Sequence, residues 1–321
     1  MNAKIDMLLN AVNDIYPGKV ITRVSGEQTG ELHVDRVAQE ILGDRLLIEL
    51  AEGTESDFLF GNELLKMLLT LNGVVPQIFF ALTFQDDILD QQLIQIATRM
   101  HRTVVHTITY RELKKQDVLT ADTVTAYLAG VKSELTAENG ELDDESLWRL
   151  LVILDALVFA DASGADFSEL ATLYPLAYTA ATQLVSPILT ADLKQSRHIR
   201  RQITQLFAGV DDTLKAWGKP TVNAKEYVTV TSVFSKRQLE LPVSQVFTIF
   251  HSEMTDFQTK KTAYVGLGQV DSQNSFVITK PDDQDSAAFF KALYKMTVSD
   301  LFKQLALSLI HISEPTRPEP I

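Results

Sequence analysis

The chain has 321 residues, 45% of them hydrophobic and 22% charged, which suffices for a substantial core and argues against wholesale disorder. Its 42 acidic against 29 basic side chains give a formal charge of −13, so nucleic acid and anionic lipid are disfavoured as partners unless basic residues cluster locally. There is no cysteine, which excludes disulfides, thiol catalysis and thiolate metal sites.

The opening residues pass straight into an amphipathic pattern interrupted by Asp6, Asn10, Asn13 and Asp14, unlike the apolar stretch of a signal peptide. No window approaches the ~18 consecutive apolar residues of a membrane span. The expectation is a cytoplasmic protein with no membrane partner. Ile5, Leu8, Leu9, Val12 and Ile15 fall at helical spacing, ended by Tyr16-Pro17-Gly18. Residues 19–24 (KVITRV), 31–36 (ELHVDR) and 45–50 (RLLIEL) read as three strands. Ser56 or Asp57 is placed to cap a helix that runs to about Leu71 and stops at Asn72-Gly73.

Residues 76–84 (PQIFFALTF) form a short apolar run, either a buried strand or a buried helical turn. From Asp86 to about Lys115 the pattern is helical, with Ile88, Leu89, Leu93, Ile96 and Met100 expected inward. Helices follow at 121–135, 143–159, 166–189 (interrupted at Pro175 and Pro187) and 191–217. Gly218-Lys219-Pro220 is the expected domain boundary. Beyond it, residues 227–234, 244–250, 262–267 and 275–279 suggest strands. A last helix from Asp285 carries Phe289, Phe290, Leu293 and Tyr294 on one face.

The best basic cluster is Arg197, His198, Arg200 and Arg201, expected to be a solvated helix face rather than a nucleic-acid site. Residues 307–317 (LSLIHISEPTR) match the translation of a transposase adaptor used in building sequencing libraries. Residues 307–321 are therefore expected to lie outside the fold, with a native C-terminus continuing past Ala306 and with His311 discounted as a ligand.

One motif approaches chemistry. Asn62-Glu63-Leu64-Leu65-Lys66 has the frame of His-Glu-x-x-His, in which two histidines four apart hold zinc and the glutamate activates a water. Here the glutamate remains, Asn62 is a weak zinc ligand, and Lys66 would put a cation where the metal should sit. Glu63 and Lys66 also form an ordinary i,i+3 pair on any amphipathic helix. His101 and His106, five apart, do not share a helix face, and His106 among apolar and β-branched residues reads as a satisfied, partly buried histidine. Asp86, Asp87 and Asp90 could supply a third ligand but read first as helix-start caps. Gly266-Leu267-Gly268 looks like a turn or bulge without a phosphate-loop lysine. The Ser25-Gly26 and Ser163-Gly164 pairs lack a nucleophile-elbow frame.

Tyr16-Pro17-Gly18, the Asn62–Lys66 helix, Gly73 with residues 76–80 (PQIFF), and residues 154–159 (LDALVF) together resemble uncharacterised proteins of lactic-acid bacteria that carry the IpaB/EvcA family label. Relatives reading His-Glu-Leu-Leu-His at this helix would make the chain a zincin-like scaffold that has lost its metal site. The label borrows the name of secreted effectors, some of which act as exchange factors on host GTPases. Their Trp-x-x-x-Glu signature is absent, since Val152 follows Trp148 and Thr221 follows Trp217 at that spacing, so that activity is not carried over.

The combined expectation is an α+β protein. It has a zincin-like N-terminal α/β unit with a helical middle region over residues 1–217, and a smaller C-terminal β-rich domain closed by a helix over 221–306. The function expected is a non-catalytic, degenerate metallopeptidase-like scaffold that binds a peptide or protein partner. The alternative is an atypical hydrolase using Glu63 as general base. Glu63 is the vestigial catalytic residue, with Asn62, Lys66, Asp90 and His106 lining the site, and neither a metal nor another cofactor is expected.

Overall fold

The computed structural model describes residues 2–51, 53–281 and 285–312. Its elements in chain order begin with α1 (Ala3–Ile15), β1 (Lys19–Val24), β2 (Val37–Leu42), β3 (Arg45–Leu50), α2 (Ser56–Leu71), β4 (Ile78–Phe79) and β5 (Leu82–Thr83). The helices α3 (Asp87–Lys115), α4 (Ala121–Glu134), α5 (Ser146–Ser163), α6 (Glu169–Leu173), α7 (Pro175–Thr190), α8 (Ser196–Ala216) and α9 (Ala224–Tyr227) follow. The rest comprises β6 (Thr229–Val230), β7 (Val233–Ser235), α10 (Lys236–Leu239), β8 (Phe247–Asp256), β9 (Thr262–Gly268), β10 (Asn274–Thr279), α11 (Ser286–Lys295), α12 (Val298–Gln304) and β11 (Ile310–Ile312). The chain is thus mixed α and β, and no helix among the described residues is long and apolar enough to cross a membrane.

Among the described residues, those of 2–72 and 102–193 form one compact unit and those of 73–101 and 194–312 the other. This division differs from the expected break at Gly218. Asp211 on α8 accepts from the backbone N–H of Val222 (2.8 Å) and Asn223 (3.2 Å). Those bonds fold the Gly218-Lys219-Pro220 turn back onto the helix, so the turn lies inside the second unit.

In the first unit the sheet order is β1-β3-β2. β1 runs parallel to β3 from Lys19↔Arg45, and β2 runs antiparallel from Val37↔Leu50. Asn2 caps α1 by accepting from Lys4 N–H at 2.7 Å, and Ile5 and Val12 are buried beneath it. α2 starts at Glu55 with φ 52° and no capping side chain. The expected cap Asp57 accepts from the backbone N–H of Asn2 instead. Phe58, Tyr110, Tyr127, Phe159 and Phe167 make an aromatic core, with Tyr127 stacked on Phe159 at 3.8 Å between centroids.

The predicted second strand is displaced. Residues 31–36 are not a strand; Leu32 and His33 are buried there, and Leu32 N–H donates to Ala126 O at 2.9 Å. The alternation that suggested pairing reflects packing under α4, and the ladder begins only at Val37. Gly130 of α4 permits this approach, because a Cβ there would lie 2.2 Å from Leu32 O.

In the second unit, β10-β9-β8-β5 form an antiparallel sheet, with the pairs β4-β6 and β11-β7 beside it. Its core gathers Phe234, Phe247, Phe276, Leu293, Leu301 and Phe302, against which Phe289, Phe290 and Tyr294 are partly buried, as the last helix's apolar face predicts. Within β9, a Cβ on Gly266 would lie 2.1 Å from the Phe276 ring, so the strand needs glycine there for packing. α3 contributes residues up to His101 to this unit, with Asp90, Leu93, Ala97 and Met100 buried. Ile88 and Leu89, expected inward, are exposed. Asp86 Oδ1 accepts from both their N–H groups at 3.1 Å, so they occupy the capped first turn while the inward stripe starts at Asp90.

The C-terminal end also departs from expectation. Leu307 and Leu309 pack on the apolar cluster, Ile310 N–H donates to Ser232 O at 2.9 Å, and β11 pairs in parallel with β7. Residues 307–312 are therefore part of this unit, whatever their origin; residues 313–321 lie outside those described.

Two outcomes follow for stability. Alanine normally stabilises a helix interior over glycine by about 1 kcal/mol, but Gly130→Ala should destabilise the protein by about 1–3 kcal/mol because the added methyl must displace backbone. A chain ended at Ala306 should lose about 2 kcal/mol through the loss of the two packed leucines, Leu307 and Leu309. Chemical denaturation of each variant beside the parent measures both.

Candidate functional site

The first unit concentrates polar side chains where apolar ones would be expected. On α2, Asn62 and Glu63 are buried within a run that also buries Phe58, Leu59, Phe60, Leu64 and Leu65. On α3, His106 and Thr109 are buried, and on α5 so is Asp155, the one acidic residue in residues 147–160 (LWRLLVILDALVFA). Burial forces such groups to bond one another.

They do so in a single chain of contacts. Thr109 Oγ1–H donates to Asn62 Oδ1 at 2.6 Å. Asn62 Nδ2 lies 3.3 Å from His106 Nε2, and His106 Nδ1 lies 2.6 Å from Asp155 Oδ1. The hydroxyls of Tyr110 and Tyr127 donate to Asp155 Oδ2 at 3.0 and 2.7 Å, and the Tyr110 ring stacks on His106 at 4.5 Å. One proton arrangement satisfies every group: a neutral imidazole with its proton on Nδ1 donates to Asp155 and accepts from Asn62 at Nε2. A protonated ring would set an N–H against the Asn62 amide donor, and turning the amide would break its bond from Thr109.

Electrostatics agrees. Burial lowers the His106 imidazole below its ordinary value, and Lys66 and Arg102 lower it further against the opposing pull of Asp155. Burial tends to raise the Asp155 carboxyl, but His106 and the two tyrosine hydroxyls outweigh it and hold it below the usual range. Burial likewise lowers the Lys66 ammonium. The Tyr110 hydroxyl is pushed well up by burial and by Asp155.

Beside this chain, Lys66 Nζ donates to Glu63 Oε1, and Gln39 Nε2 on β2 donates to Glu63 Oε2 at 3.4 Å. The structure thus assembles Asn62, Glu63, Lys66 and His106 in one region, as the sequence suggested. It also adds Asp155, Thr109, Tyr110, Tyr127 and Gln39, which sequence reasoning missed. Asp155 had a legible signal, an acidic residue inside the apolar run 150–160. Asp90 does not join them: it belongs to the second unit, where it accepts from Thr83 Oγ1 and from Phe84 N–H at 3.0 Å. It is spent on ordering the β5 end. His101, also in that unit, donates to Pro76 O at 2.8 Å.

These residues do not fit zinc. The Lys66 ammonium occupies Glu63, and Asn62 is bonded on both its amide atoms. Among the described residues no group of three His, Asp or Glu is arranged to hold a metal ion. No protein-family model, curated protein or solved structure matches the chain.

The lowered imidazole has a consequence for pH dependence. A base whose folded pKa lies below its unfolded value binds fewer protons when folded, so its stabilising effect is complete above about 6.5 and is lost as pH falls below that. His33, raised by its bond to Glu134, runs the opposite way but is common to parent and variant. Unfolding free energy should fall between pH 7 and pH 5, and His106→Asn, less stable at pH 7, should show a shallower slope. Denaturant titrations at each pH measure it.

Proposed function

We propose that this chain is a non-catalytic binding protein on a metallopeptidase-like frame, akin to the IpaB/EvcA group it resembles, acting in the cytoplasm on a peptide or protein partner. The observation that carries the reading is the ion pair between half-buried Lys66 and buried Glu63. In a working His-Glu-x-x-His helix the glutamate faces a metal-bound water; here its partner is a fixed ammonium from the second ligand position. Glu63 is only 4% exposed and both its oxygens are engaged, which disfavours the alternative of a hydrolase using it as base, since a base must reach the proton it takes.

Binding is better supported than catalysis by β2. This strand lies at the sheet's edge, five of its six residues are exposed, and Ile41 is 74% exposed. An edge with free N–H and C=O groups and exposed apolar side chains is a template for an added strand. Gln39 of that strand is bonded to Glu63, so the edge runs beside the former catalytic position.

The test is selection of peptides from a displayed random library on the immobilised protein. Selected peptides should protect residues 37–42 from hydrogen exchange, and Ile41→Asp should weaken them at least about tenfold. Mass spectrometry of the same peptides should find them intact. Cleavage that is lost in Glu63→Gln would overturn the reading in favour of the hydrolase.

A further inference from the structure

Within the second unit a cleft of about 710 Å³ opens along α8, a volume in the range of small-molecule sites. Arg197, Arg200, Arg201 and Thr204 line it at i, i+3, i+4 and i+7, one continuous helix face. The basic cluster therefore borders a cavity instead of merely facing solvent.

Three features of this wall point to an anion. First, α8 begins without a capping side chain and without an acidic residue in its first turn. Arg197, Arg200 and Arg201 add positive charge where the helix dipole is already positive, an arrangement that disfavours folding unless a negative group completes it. Second, Asp271 is the one carboxylate lining the cleft, and it is paired with Arg200. Arg200 is further fixed by donating to Thr231 O at 3.1 Å and Ser275 Oγ at 3.3 Å, and burial lowers its guanidinium to about 10. Arg197 and Arg201 are exposed, and neither has an ion-pair partner among the described residues.

Third, Ser232 lines the cleft, is 2% exposed, and has a hydroxyl with no hydrogen-bond partner. The other buried side-chain polar atoms without partners among the described residues belong to Gln202 on α8, Thr229 and Thr231 at β6, and Asn274 on β10. Of the five, Ser232 is the one that lines the cleft. A buried hydroxyl left unbonded is destabilising, so the site has bonding capacity that the folded chain does not use. Val246 and Val270 add an apolar wall, with Val270 97% exposed.

We propose that this cleft binds a small phosphate monoester, its phosphate on Arg197 and Arg201 at the start of α8 and its apolar body against Val246 and Val270. Phosphate is favoured over a carboxylate because it offers oxygens to two guanidinium forks and a helix start together. The overall charge of −13 disfavours a long polyanion, which would extend past this local basic face.

The test is titration calorimetry of the full chain with phenyl phosphate, inorganic phosphate, benzoate and a single-stranded oligonucleotide. Phenyl phosphate should bind at least about tenfold more tightly than inorganic phosphate or benzoate. Arg197→Ala with Arg201→Ala should weaken it by at least about tenfold while the melting temperature is held, since both residues are exposed. Amide shifts on phenyl phosphate addition should map to residues 231–234 and 268–271. No heat from phenyl phosphate up to about 10 mM, equal affinity in the double variant, or shifts elsewhere would overturn the proposal. So would tighter binding of the oligonucleotide that grows with its length, which would make the cleft part of a nucleic-acid surface.

Discussion

A carboxylate in the middle of an apolar helix must be fully bonded, or its burial works against the helices packed around it. Asp155 meets that requirement by drawing donors from two other helices: His106 and Tyr110 on α3, and Tyr127 on α4. Because its oxygens accept from three side chains of fixed length, the helices have one arrangement that serves all of them. Losing any one donor would leave a charge under-bonded in a low-dielectric interior, with a penalty on the order of 3–5 kcal/mol when a buried charged pair is broken. The aromatic core is tied to the same requirement. Tyr110 stacks on His106 with its hydroxyl on Asp155, and Tyr127 stacks on Phe159 while its hydroxyl does the same. Packing and hydrogen bonding thus fix each ring twice.

The same demand for satisfaction accounts for the side chains at the two outer positions of Asn62-Glu63-Leu64-Leu65-Lys66. Asn62 supplies one donor to His106 Nε2 and one acceptor to Thr109 Oγ1, so it completes the bonding of a neutral imidazole. A histidine in its place would have to surrender that link before turning to a metal. Lys66 supplies the positive charge that Glu63 needs at that depth. The two side chains are complementary: Asn62 closes the polar chain running to Asp155, and Lys66 pairs with the glutamate beside it. Polar groups bonded in this way act as a structural lock.

The parts of this fold legible in the sequence are those set by local pattern. The bounds of β1 and β3, the course of α2 and the end of α1 follow from β-branched runs, helical spacing and Tyr16-Pro17-Gly18. The misses occur where a tertiary contact imitates a local signal. Residues 31–36 alternate like a strand in sequence, yet the adjacent Leu32 and His33 are both buried and Leu32 is bonded to Ala126 of α4, and an alternating pattern does not say what covers a residue. Gly218-Lys219-Pro220 reads as a linker, yet Asp211 anchors the chain just beyond it. In the site, Asn62, Glu63 and Lys66 were findable because four-residue spacing is a local property. Their bonding to His106 and Asp155 depends on pairings 44 and 49 residues apart, which no spacing rule encodes. Asp90 shows the converse, a plausible acidic ligand engaged by a neighbour seven residues away.

The two units handle buried polarity in opposite ways, and that contrast separates structure from function in this chain. In the first, a dense set of buried polar groups is closed on itself, and none of its side-chain polar atoms is among those left without a partner. Such a network rigidifies what surrounds it and has little left to offer a ligand. In the second, the buried polar atoms without partners fall at α8, β6 and β10 and at the Ser232 turn, around the wall where the arginines gather. Folding alone gives no reason to keep such atoms there, since apolar residues of similar size would fill the space at lower free energy. A chain whose charge is strongly negative overall retains three arginines on one cavity-facing helix turn and a half, with one carboxylate to answer them. The unsatisfied Ser232 hydroxyl and the arginines without an ion-pair partner line the same cleft, and a single anionic ligand would answer both.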